Sequence, residues 1–118
     1  MVIAEAQVEL PDESAISTAT LAELHFGVLL ARDDAARRSR LRRLSEVESR
    51  FEVLPVDGAV ARSYGALAHA VAVAGRKPRA RTMDLLIAAT ALAHGAALYT
   101  RDHADLAPLD DLLTVVVV

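Results

Sequence analysis

RTMDLLIAATALAHGAALYTRD, residues 81–102, is the stretch whose reading decides the fold. Its apolar residues run from Leu85 to Ala93 and halt at His94-Gly95, which predicts a helix over Met83–His94, capped by Thr82 and ended by a glycine free to turn left-handed. AALYT (96–100) follows at once as a short apolar strand. An acid stands at each end of this helix–strand pair: Asp84 in the first helical turn and Asp102 just past the strand.

Working outward, the same alternation recurs. AIS (15–17) is a short strand candidate, followed by a helical run from Leu21 to Arg32 in which Leu21, Leu24, Val28 and Leu29 recur at helical spacing. Asp33 and Asp34 are N-cap candidates for a second helix through about Arg50. FEVLPV (51–56) reads as a buried strand, Asp57 caps a third helix over 58–74 that stops at Gly75, and LLTVVVV (112–118) is a last strand. Short strands apolar on both faces and separated by helices predict a parallel sheet covered on both sides. In such sheets ligands bind beyond the carboxyl ends of the strands, where Asp102 is placed.

Composition bounds the function. With 118 residues, 53% of them hydrophobic, the chain makes one domain with a real core, spanning residues 1–118. Aromatics are 3%, leaving few rings to stack on bases. The absence of cysteine excludes a disulfide scaffold or thiolate metal site and fits a reducing compartment. No apolar run approaches the roughly 20 residues that span a bilayer, and MVIAEAQVELPDES lacks the basic start of a signal peptide, so the cytoplasm is expected and no membrane. The net charge of −3 argues against a generally basic nucleic-acid binder. Cations are nevertheless concentrated: Arg32, Arg37, Arg38, Arg40, Arg42, Arg43 and Arg50 in one segment, and RKPRAR (76–81) in another. Each reads as a solvated surface or as a guanidinium-rich face for phosphate or an acidic partner segment.

Three acids stand in apolar rather than charged surroundings: Glu23, Asp84 and Asp102, with Asp105 close by. Singly each has a plain structural role, as a helix-dipole complement, a turn cap or an exposed helix edge. Carboxylates converging on one rim repel one another unless a cation joins them, and oxygen-only ligands select hard Mg²⁺ or Mn²⁺. Such an ion lowers the pKa of a bound water and neutralises a phosphodiester under in-line attack. The four histidines form no i,i+4 pair, and only His103, between Asp102 and Asp105, is a candidate accessory group.

The sequence resembles the PIN-domain ribonucleases, most nearly the VapC toxins of bacterial toxin–antitoxin pairs. S-x-x-T-x-x-E-L (Ser17, Thr20, Glu23, Leu24) corresponds to the family's glutamate motif. D-x-x-I-A-A-T-A (Asp84, Ile87 to Ala91) corresponds to its helical aspartate motif, and T-x-D (Thr100, Asp102) to its last acidic one. Asp105 matches a further acid found in many members. The resemblance implies a Mg²⁺-dependent endoribonuclease with Glu23, Asp84, Asp102 and Asp105 around Mg²⁺ or Mn²⁺. Arg101 and Thr100 would contact the RNA. It also implies a VapB-type antitoxin as partner and a homodimer.

One departure bears on the site. Family members open with a strand ending in an aspartate followed by Thr or Ser, and that aspartate is a central metal ligand. Here no Asp precedes Asp12 in the LPDES loop, and only four strands are legible where the connectivity wants another at the centre. The expectation is therefore an α/β domain with a PIN-like parallel sheet flanked by helices, its N-terminal central strand missing and its native start upstream of Met1. The alternatives are a catalytically incomplete PIN-like module that binds an antitoxin or sister toxin without cutting, and a DNA-directed nuclease of related fold.

Overall fold

The computed structural model describes residues 1–4, 14–101 and 104–118. Its elements are β1 (Val2–Ala4), β2 (Ala15–Ser17), α1 (Thr18–Leu29), α2 (Asp34–Arg50), β3 (Glu52–Leu54), α3 (Gly58–Val73), α4 (Thr82–Ala93), β4 (Ala97–Thr100) and β5 (Val115–Val117), with 3₁₀ turns at Pro78–Arg81 and Ala104–Leu109.

Local chemistry sets most boundaries. Each helix start leaves N–H groups without an intrahelical acceptor, and short oxygen-bearing side chains take them up. Ser17 accepts from Ala19 N–H at 3.1 Å, Asp33 from Ala36 N–H at 2.8 Å and Asp57 from Val60 N–H at 3.0 Å. Gly75 and Gly95, with φ of +81° and +63°, turn the chain out of α3 and α4 in a conformation that a Cβ disfavours. Thr82 departs from expectation. It is the first helical residue rather than the cap, and its hydroxyl donates to the Arg79 carbonyl at 3.2 Å. The 3₁₀ turn runs directly into α4, so Arg81 takes the cap position without a side-chain capping bond.

The sheet has five strands in the order β3-β2-β1-β4-β5. β2 pairs β3 and β4 pairs β5 in parallel, as the alternation of strands and helices requires. The expected vacancy at the centre is corrected: Val2–Ala4 fills it, antiparallel to both neighbours, with Ile3 opposite Ala15 on one side and Leu98 on the other. The sheet is thus mixed rather than wholly parallel. Burial of the short VIA run and pairing of two otherwise open edges account for the capture of this strand.

Ile3, Leu98, Leu85, Ile87, Ala88, Leu67 and Val60 join one buried cluster beneath α3 and α4. Ala4, Ala97 and Tyr99 form a second. Alternation along β4 therefore divides its side chains between two buried clusters, the behaviour of a strand covered on both faces. α3 packs on α4, and α1 packs on both α2 and α4. α2 buries only Leu44, which leaves its arginines in solvent. Among the described residues no helix is long and apolar enough to cross a membrane.

Candidate active site

The parallel strands β2 and β4 end on one rim, at Ser17 and Thr100, and antiparallel β1 brings Met1 to the same edge. α1 leaves that rim from Ser17 and carries Glu23; α4 begins near it and carries Asp84. Burial lowers the pKa of the Met1 amino group, opposed by the carboxylates of Glu23 and Asp84, so both acids lie within electrostatic reach of that end of β1.

A buried polar link ties the two acid-bearing helices together. Ser17 and Thr90 are fully buried, and their hydroxyl oxygens lie 3.0 Å apart. Thr90 Oγ1 is also 2.8 Å from the Leu86 carbonyl. Each hydroxyl has one proton and the carbonyl can only accept, so Thr90 satisfies Leu86 and Ser17 satisfies Thr90, while Ser17 accepts from Ala19 N–H. The serine of the glutamate motif and the threonine of the aspartate motif thereby fix α1 against α4.

Asp84 and Asp105 are brought together by a residue that the sequence reading placed only within a cationic stretch. Arg81 Nη2 lies 2.8 Å from Asp105 Oδ1, and its Nη1 lies 3.9 Å from Asp84 Oδ2. Arg76 clamps the same 3₁₀ turn, donating to the Ala104 carbonyl at 2.9 Å. Part of RKPRAR therefore faces inward onto the turn bearing Asp105 instead of forming a wholly free basic face. The i,i+3 spacing of Arg81 and Asp84 was legible in the sequence; the reach to Asp105 was not.

The remaining candidates are distributed as follows. Glu23 is exposed on α1 and, with Leu24, Gly27, Arg40 and Arg43, lines a cavity of about 310 Å³ between α1 and α2. Arg40 also donates to the Gly27 carbonyl. Thr100 is buried at the end of β4, its carbonyl accepting from Val118 N–H at 3.1 Å, and Arg101 is exposed. His25 pairs with Glu48 of α2 at 3.2 Å and is turned to that helix. Asp102, His103 and Asp12 lie outside the described residues.

The donor set gathered here fits a hard divalent cation in kind, being carboxylate oxygen throughout. Among the described residues no three His, Cys, Asp or Glu side chains stand close enough to hold an ion by themselves. Glu23, Asp84 and Asp105 thus surround the rim more widely than one coordination sphere, with a guanidinium already between two of them.

Comparison with known proteins bears on the family and the fold. Ribonuclease VapC5 of Mycobacterium tuberculosis (strain ATCC 25618 / H37Rv) is 39% identical over 109 residues, covering 92% of this chain and 78% of that protein. The crystal structure of VapBC-5, a member of the VapBC family of toxin–antitoxin systems from M. tuberculosis, superposes with a TM-score of 0.79 at 38% identity, over 88% of this chain and 81% of that one. VapBC2 from Rickettsia felis, bound to a DNA fragment from its promoter, superposes with a TM-score of 0.73 at 28% identity, over 86% and 71% of the two chains. The PIN domain pattern matches residues 2–110, which hold the five-stranded sheet's first four strands and every acid of the rim. With motifs, sheet and relatives in agreement, the chain belongs to the PIN domain family.

Proposed function

We propose that this protein is a metal-dependent endoribonuclease of the VapC toxin type, cutting RNA phosphodiesters in the cytoplasm and held in check by a VapB-type antitoxin. The observation that supports this reading is the pairing of Asp84 and Asp105 through one cation, Arg81, with Glu23 carried on the helix that leaves β2. Glu23, Asp84 and Asp105, together with Asp102, are the residues that would hold the ion. When bound there, Mg²⁺ or Mn²⁺ supplies a water of lowered pKa and neutralises charge on the scissile phosphodiester.

The chain's own groups do the rest. Arg101, exposed beyond β4, positions the phosphate beside the acids, whereas Thr100 is buried at the strand end. Arg40 and Arg43, on the far wall of the cavity that Glu23 lines, hold neighbouring backbone phosphates of a single strand. Phe26, Leu29 and Leu30 leave α1 with 62%, 75% and 59% of their surface exposed, and Leu41 of α2 is 45% exposed. An apolar surface of this kind beside the arginines supports docking of an amphipathic antitoxin segment. A homodimer in solution completes the reading.

The test is Mn²⁺ titration of the wild type and Asp84→Asn, followed by cleavage of a mixed RNA in Mg²⁺. Asp84→Asn should bind Mn²⁺ more weakly and lose cleavage while remaining folded. An unchanged Mn²⁺ titration removes Asp84 from the site. Elution of the protein apart from the product of its neighbouring open reading frame, both at micromolar concentration, removes the antitoxin assignment.

A further inference from the structure

Arg81 occupies a position of unusual constraint. It ends the Pro78–Arg81 turn and occupies the cap position of α4, so two elements fix its backbone. Its guanidinium donates at charge-assisted distance to Asp105 on the 104–109 turn, and its Nη1 stands 3.9 Å from Asp84 in the first turn of α4. Arg76 holds the same turn from the other side of the 76–81 segment. The Arg81, Asp84 and Asp105 side chains retain 45%, 37% and 32% of their exposure, so water and small ions reach all three.

From this geometry we infer that Arg81 is a positioning residue for the acid rim: it is the resident counter-ion that draws Asp105 toward Asp84, and an entering divalent cation competes with it for those carboxylates. The inference rests on the metal-site reading above. Two carboxylates brought to one place repel each other, and a guanidinium between them relieves that repulsion. The same positive charge opposes a second cation at those oxygens. A divalent ion needs carboxylate oxygens at about 2.0–2.1 Å for Mg²⁺, and Arg81 competes for the Asp105 Oδ1 that it engages at 2.8 Å. Arg81 therefore has two opposed effects: it holds the two acids together without metal and weakens their hold on metal.

The sign of the effect separates this role from that of an ordinary surface ion pair. Arg81→Gln keeps a polar side chain and removes the charge; Arg81→Lys keeps the charge without the fork. Mn²⁺ affinity, read from the free Mn²⁺ signal in electron paramagnetic resonance, should rise about tenfold in Arg81→Gln and stay near wild type in Arg81→Lys, the change expected when one nearby like charge is removed. Metal-free Arg81→Gln should melt below the wild type, and saturating Mn²⁺ should close that gap. Should Arg81→Gln fold poorly, Arg81→Met carries the same comparison. If Asp84→Asn weakens Mn²⁺ binding but Arg81→Gln binds no more tightly than wild type, the counter-ion role is wrong and the metal site stands. If Asp84→Asn leaves Mn²⁺ binding unchanged in both backgrounds, the metal site is wrong and this inference goes with it.

Discussion

Thr90→Val is the most exacting test of how the acids are held. The substitution is nearly isosteric, so it leaves the volume of the buried α1–α4 contact unchanged and removes only the hydroxyl. The Leu86 carbonyl keeps its helical N–H donor, but the Ser17 proton loses its acceptor in a fully buried place. An orphaned buried group of this kind costs about 1–3 kcal/mol. For a domain of this size 1 kcal/mol corresponds to roughly 4 °C in Tm, so a fall of about 4–12 °C is expected by circular dichroism. Thr90→Ser should recover most of it. Ser17→Ala removes the α1 cap along with the link, a further loss of about 1 kcal/mol. The double variant should therefore be more stable than the two single losses predict by about 1 kcal/mol, because the second substitution removes the group that the first orphaned. Mn²⁺ affinity should fall with Thr90→Val and return with Thr90→Ser, since the link fixes the helix of Glu23 against that of Asp84. Strict additivity, or a Thr90→Val protein that melts with the wild type, refutes the reasoning.

The other expectations address separate links in the structure. Ile3→Ala, at the 1%-exposed centre of the sheet, should cost about 2–5 kcal/mol in denaturant unfolding, as a large-to-small change in a packed core does. A negligible loss would mean that Val2–Ala4 is not the central strand in solution. Asp33→Ala should lower stability by about 1 kcal/mol through loss of the α2 cap, with no effect on Mn²⁺ binding. Replacing Arg43 by Ala should weaken RNA binding similarly across sequences and reduce the log–log salt slope by about one, as expected for a lost phosphate contact. His25→Ala should leave Mn²⁺ affinity untouched, because that ring faces Glu48.

What the sequence determined is local. Asp33 and Asp57 cap helices because their short side chains reach N–H groups three residues on, and Gly75 and Gly95 end helices because they tolerate positive φ. β2 is legible as AIS for a related reason: its apolar run is bounded by residues that start a helix. The motif acids Glu23, Asp84 and Asp102 could be named because acids in apolar surroundings are conspicuous within a few residues, and Asp105 because it stands close by and matches a further acid of the family. Tertiary structure decided whatever depends on distant partners. Val2–Ala4 has too little local pattern to announce a strand, and only the open edges of β2 and β4 give it a place and a direction. Ser17 and Thr90 read as a cap and a helical threonine until α1 and α4 close on each other. Arg81 reads as one cation of several until the 104–109 turn lies beside it. An N–H three residues away lies within reach in any chain that adopts the helix, whereas partners far apart in sequence meet only after loop closure and core packing have been satisfied.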